Sequence, residues 1–244
     1  MASNFLKNNS HWWLLFGRTA LFFSVQCLFA LGFWWAGSVH AWDKGAAWWV
    51  ASVLFANLVC LAVMVSRFRA EGQSYGSIFK IKRKTVKSDL WVMAGVLVIL
   101  APVALLPNML LASAFLGDAQ KAVALILHPL PLWAVIASIL LFPLTQGLVE
   151  IPFYFSFIQP RLQAQGMRPW LAVTLPALML GFQHVALPFL FNAHYLAWRG
   201  LMYMPFAFLV GMVMHWRPRL LPYIAIIHVL MDLSFAAMLL SYAY

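Results

Sequence analysis

Between Trp12 and Tyr242 the chain falls into apolar runs of about twenty residues or more, the length a helix needs to cross the hydrocarbon core of a bilayer. Lipid offers no partner for backbone N–H and C=O groups, so such runs must be helices packed on one another. Hydrophobic residues make up 64% of the 244 and charged residues only 9%, with a mean hydropathy of +0.86. A soluble domain with a solvated surface does not carry that balance. The expected fold is an all-α, polytopic transmembrane bundle of about seven spans, with six to eight allowed and the N-terminus cytoplasmic.

The runs fall near residues 12–36, 46–66, 90–116, 132–158, 170–191, 200–216 and 220–242. The first follows a short polar leader containing Lys7 and lacks the cleavage pattern of a secretory signal, so it reads as a retained span. Arg18, near its start, reads as a side chain that snorkels to the headgroups. Pro102 and Pro107 predict a kink or break in the third run. The piece from Lys121 to Pro131 is too short to span and reads as re-entrant or interfacial, although splitting this proline-rich region would give an eighth span.

A net charge of +10 could suggest nucleic acid, but that needs a basic face on a folded domain. Here the basic residues lie between apolar runs, which excludes a nucleic-acid partner and points to orientation in the membrane and contact with lipid. Arg67, Arg69, Lys80, Lys82, Arg83, Lys84 and Lys87 share one loop. With Lys7, Arg161, Arg168, Arg217 and Arg219 they fall on alternate connections, while Lys44, Lys121 and Arg199 fall on the others. Residues 1–89 form an N-terminal membrane part with the basic loop, and residues 90–244 the remaining membrane core, within one integrated domain.

Of the six acidic residues, only Glu150 and Asp232 fall well inside predicted spans. His184 lies mid-way along the fifth span, and His228 precedes Asp232 by one helical turn, on the same helix face. At about 1.5 Å per residue, all four lie roughly 12 to 21 Å deep from the basic side. Intramembrane ionisable groups mark functional sites by default, and four at one depth predict a shared buried site.

Such a set suits water activation. Glu150 can act as general base, a histidine can orient the water, and a second histidine beside a carboxyl can serve the oxyanion of a tetrahedral intermediate. Glu150, His184 and His228 could instead ligate zinc, so a metal-dependent and a metal-independent mechanism are equally allowed. A proton-coupled carrier also places such groups in spans, although no inverted halves stand out. A non-catalytic binding or adaptor protein is the third reading.

The same residues resemble the CPBP family of intramembrane proteases, the group of CAAX prenyl endopeptidases and bacteriocin-processing or abortive-infection proteins. Its pattern is Glu-Glu-x-x-x-Arg, then Phe-x-x-x-His, then His-x-x-x-Asn or Asp. The resemblance covers about Leu132 to Leu240. The closing motif is intact at His228 and Asp232, and the middle motif keeps His184 with Leu180 at the phenylalanine place. In the preferred register Glu150 is the first glutamate, Ile151 stands at the second and Phe155 at the arginine. Losing both partners of a buried ion pair can be neutral, whereas losing one strands a charge.

The resemblance implies that residues 90–244 hold a catalytic core. It implies an intramembrane endopeptidase of a bacterial-type cytoplasmic (inner) membrane, acting on a membrane-associated peptide or protein, prenylated or not. Glu150, His184, His228 and Asp232 would be catalytic, with zinc as the optional cofactor.

Other features have ordinary readings. Trp12, Trp13, Trp34, Trp35, Trp48 and Trp49 fit an interfacial aromatic belt. His11, His40, His194 and His215 fall at span ends, Cys27 and Cys60 read as small packing residues, and His128, Asn192 and Tyr154 are lesser candidates for lining or supporting the site.

Overall fold

The structure, a computed structural model, describes residues 10–244; Lys7 and the side chain of His11 lie outside the described residues. Helices follow in the order α1 (Ser10–Trp35), α2 (Ala41–Ala47), α3 (Trp49–Ala70), α4 (Val86–Leu116), α5 (Ala119–Ala124), α6 (Leu132–Ile151), α7 (Gln159–Ala164), α8 (Pro169–Phe182), α9 (Ala193–Leu201), α10 (Met204–Trp216) and α11 (Leu221–Ala237). A π-helical stretch, Pro152–Ile158, joins α6 to α7. The described residues contain seven segments long and apolar enough to cross a membrane, and the chain is an integral membrane protein with an all-α polytopic fold.

Local chemistry sets several boundaries. Gly117 ends α4 in the left-handed region at φ 80°, which glycine adopts without a Cβ clash. Asp118 then caps α5 by accepting from the backbone N–H of Gln120 at 2.9 Å. Asn192 caps α9 in the same way, through Tyr195 N–H at 3.0 Å. Pro169 and Pro222 sit in first turns, where a missing N–H costs nothing.

The helix carrying Pro102 and Pro107 runs unbroken over 31 residues, contrary to a break there. The sixth span begins at Ala193 rather than Gly200, because α9 and α10 together cross. The piece around Lys121 to Pro131 is the short helix α5 followed by an extended segment. Leu130 pairs there with the C-terminal Ala243, and Leu132 N–H donates to Tyr244 O at 2.9 Å. It is no eighth span.

Outward faces carry bare apolar side chains such as Leu28, Leu58, Val98 and Leu140, as lipid contact requires. Inside lie two apolar clusters, one around Leu15, Cys60, Val149, Leu180 and Ile224 and the other around Phe22, Val53, Phe142, Ala186 and Ala236. Each helix of the central group crosses from one cluster to the other. At the crossing stands a polar residue: Arg18 on α1, Asn57 on α3, Gln146 on α6, Gln183 after α8 and His228 on α11.

The most extensive helix pair is α6 with α11. A Cβ on Gly147 would stand 2.4 Å from Val229 Cγ2 and 2.8 Å from the Ala225 carbonyl oxygen, so glycine is what allows the two backbones to approach. Gly147→Ala is expected to destabilise the bundle by about 1–3 kcal/mol through overpacking, read as a lower thermal unfolding midpoint in detergent. Adding Val229→Ala should recover part of the loss, and an unchanged midpoint for Gly147→Ala would contradict the close approach.

Candidate active site

Glu150 lies one turn after Gly147 on α6, hence on the face that meets α11, and is 4% exposed. Its Oε2 stands 3.2 Å from His228 Nε2, and the same nitrogen stands 3.2 Å from Asp232 Oδ2. Carboxylate oxygens only accept, so the contact to Glu150 puts a proton on His228 Nε2, while Asp232 Oδ2 stands beside that nitrogen without a hydrogen bond of its own. The other oxygen, Oε1, accepts from Gln183 Nε2 at 2.5 Å.

His184 follows Gln183 in a 3-10 turn, Gln183–Ala186, that closes α8. Its Nδ1 donates to the carbonyl oxygens of Leu180 and Gly181 at 3.0 and 3.1 Å. Carbonyls cannot donate, so the proton is on Nδ1 and Nε2 is an acceptor. The ring meets Tyr203 edge-on at 4.8 Å. Arg199 pins this turn: Nε donates to His184 O at 3.0 Å and Nη2 donates to Leu187 O. The sequence reading placed Arg199 on an outer connection; it is instead buried, because it satisfies carbonyls at the end of the turn.

Glu150, His184, His228 and Asp232 all line one cavity of about 360 Å³, together with Arg199 and Asn108. Its remaining walls are mainly apolar, including Val53, Phe206 and Phe235. Helix α4 packs on α9 and α10 and makes no extended contact with α6 or α11. The cavity reaches the surface through this gap, where Leu105, Met109 and Met231 line it and are themselves exposed.

Sequence reasoning missed most of the polar support. Arg18 does not snorkel: it is 1% exposed, donates from Nε to Gln183 Oε1 at 2.9 Å and from Nη2 to Gln146 Oε1 at 3.0 Å, and brings Nη2 to 4.0 Å from Glu150 Oε1. Asn57 Nδ2 donates to the same Gln146 oxygen at 3.0 Å, and the Tyr154 hydroxyl donates to Gln183 Oε1 at 3.0 Å. The available signal was depth, since Arg18, Asn57, Gln146 and Gln183 occupy the level of Glu150. Trp49 also departs from the aromatic belt, donating to Ile126 O at 3.0 Å from the cavity wall. His128 bonds locally to Leu125 O and Asn192 is a helix cap, so neither joins the site.

Comparisons with protein-family models, curated proteins and solved structures give no match for this chain. The resemblance to CPBP proteases therefore rests on the spacing around Glu150, His184 and His228. Ile151 and Phe155, at the places of the motif's second glutamate and arginine, are buried in the apolar cluster below the site. The Phe155 ring packs against Gly211 of α10. Among the described residues no group of three or more His, Cys, Asp or Glu side chains is arranged to hold a metal. No step below is routed through a metal.

Pro152 stands two residues after Glu150 and has no N–H, so the Leu148 carbonyl loses its helical partner. The Tyr75 hydroxyl, from the basic loop, donates to that carbonyl instead. Two ion pairs strap the same loop down, Glu71 to Arg161 Nη2 at 2.5 Å and Asp89 to Arg219 Nε at 2.7 Å. Burial pushes the Tyr75 phenol above its ordinary range. A raised folded value means the contribution is intact below the ordinary phenol value of about 10 and is lost only as the pH climbs beyond it. Tyr75→Phe is expected to cost about 0.5–1.5 kcal/mol at neutral pH, measured by thermal or denaturant unfolding; a neutral substitution would show that Leu148 finds another donor.

Proposed function

We propose that the protein is an intramembrane endopeptidase, hydrolysing a peptide bond of a membrane-associated peptide or protein that reaches the cavity from the bilayer. The observation that carries this reading is the meeting of Glu150, His184, His228 and Asp232 in one apolar-walled cavity, with the His228 N–H on Glu150 and the Asp232 carboxylate beside the same nitrogen. The depth of the site and the gap beside α4 favour a substrate that is already in the membrane, prenylated or not. A bacterial-type cytoplasmic membrane, with the basic loop inside, suits the charge distribution.

In this mechanism a water sits between Glu150 and the unprotonated Nε2 of His184. Glu150 takes a proton as the water oxygen attacks the scissile carbonyl carbon, and His184 orients the water. The carbonyl oxygen gains negative charge and draws the N–H of His228 away from Glu150, with the Asp232 carboxylate beside the ring to stabilise its charge. Collapse breaks the C–N bond, and the proton held by Glu150 passes to the leaving amine. The apolar walls exclude bulk water and leave each of these charges with few competing partners.

The test uses purified wild type with Glu150→Gln, His184→Ala and His228→Ala in liposomes, against a panel of peptides and prenyl-peptides, with and without chelator. Glu150→Gln and His228→Ala are each expected to lose about 10²–10⁴-fold in cleavage, the usual worth of a general acid or base. Full activity in Glu150→Gln would sink the mechanism, and chelator-sensitive cleavage would move it to a metal. Solute or proton flux without cleavage would replace it with a carrier, and neither activity would leave an adaptor.

A further inference from the structure

Arg18 is a buried cation that does not itself line the cavity, yet both amides it donates to lie beside Glu150. Its guanidinium lies over the Phe22 ring at 4.9 Å, so that face is closed by apolar packing. Nε and Nη2 donate to two amide oxygens, those of Gln183 and Gln146, while Nη1 is buried without a hydrogen-bond partner. An amide whose oxygen is held by a guanidinium must turn its NH₂ the other way. For Gln183 the other way is Glu150, at 2.5 Å, and the Tyr154 hydroxyl on the same amide oxygen enforces that orientation. Gln146 is braced in turn by Asn57.

Both the charge of Arg18 and the Gln183 N–H therefore act on one oxygen of Glu150, Oε1. The other, Oε2, is left to His228. We propose that Arg18, on the first span, is a positioning residue for Glu150: with Gln183 it holds Oε1 against the bundle and thereby presents Oε2 to His228 and to the reacting water. This inference rests on the hydrolytic reading of the cavity. It assigns to the N-terminal part of the chain, which carries none of the motif residues, a share in the reaction. A guanidinium reaching Glu150 from α1 also gives the carboxylate a cationic neighbour although Phe155 is apolar.

The test has one arm that needs no activity. Thermal unfolding of Arg18→Gln, Glu150→Gln and the double variant in detergent is expected to show coupling: each single change strands one partner and lowers the midpoint by several degrees, and the double loses less than their sum. Additive losses overturn the proposal. The kinetic arm compares Arg18→Lys and Arg18→Gln per folded molecule, below their unfolding midpoints. Arg18→Lys keeps the charge without the fork and is expected to lose about tenfold in kcat, and Arg18→Gln about a hundredfold, with KM within about twofold of wild type.

An unchanged kcat in Arg18→Gln would reduce Arg18 to a structural ion pair and overturn the positioning role. If Arg18→Gln does not fold, Arg18→Lys decides alone, by the same split between kcat and KM. A wild type that cleaves nothing removes the peptidase reading, while coupling in the unfolding arm would still support the hold of Arg18 on the Glu150 carboxylate.

Discussion

The close approach of α6 and α11 at Gly147 is the contact on which the site depends. In lipid no hydrophobic force drives helices together, so association relies on packing and on bonds between polar groups. A side chain at Gly147 would meet Val229 and the Ala225 carbonyl, and those two residues flank His228 on α11. Glu150 and His228 meet at 3.2 Å because the backbones beneath them touch. A separation larger by a methyl group would turn that hydrogen bond into two unpaired buried groups, each costly in hydrocarbon.

The polar layer follows from the same economy of contacts. Arg18, Asn57, Gln146, Gln183, Glu150 and His228 come from five helical segments and satisfy one another in a chain of bonds between two apolar clusters. A buried network is stabilising only when nearly every member has its partner. The atoms left without one are informative: His228 Nδ1 and Asp232 Oδ2 are buried without a hydrogen-bond partner by strict geometry, and their residues line the cavity. Arg18 Nη1 and Asn57 Oδ1, in the network itself, are also buried without a hydrogen-bond partner.

How much of this was legible depended on chemistry that shows in one dimension. The spans were readable because lipid demands long apolar runs, and the seven crossings fall close to where the hydropathy puts them. Glu150, His184, His228 and Asp232 stood out because ionisable groups are rare at that depth, and the structure brings all four to one cavity. Arg18 was misread for a geometric reason. It lies about 12 Å along α1 from Ser10, a distance from which an arginine can reach either the interface or the bundle centre, and only the neighbours decide. Asn57, Gln146 and Gln183 carry no charge, so only a depth shared with Glu150 set them apart from the other amides. Arg199 sat between two predicted spans only because the start of the sixth was placed seven residues late.

Pro152 shows how one residue links the basic face to the centre of the membrane. By deleting an N–H it opens the helix just past Glu150, and the backbone continues as a π-helical stretch, Pro152–Ile158, that shifts the register of every following side chain. Phe153, Tyr154, Phe155 and Phe157 all end up buried as a result, and the Tyr154 hydroxyl reaches Gln183. The freed Leu148 carbonyl is taken up by Tyr75, whose loop is strapped down by Glu71–Arg161 and Asp89–Arg219. Ion pairs open to solvent on one side contribute modestly to stability on their own. Here they bear on geometry instead, because a loop lifted from the face would withdraw the Tyr75 hydroxyl from a carbonyl two residues before Glu150. The orientation of the carboxylate thus depends on contacts at the C-terminal end of α6, on Tyr75 below it and on Gly147 beside it.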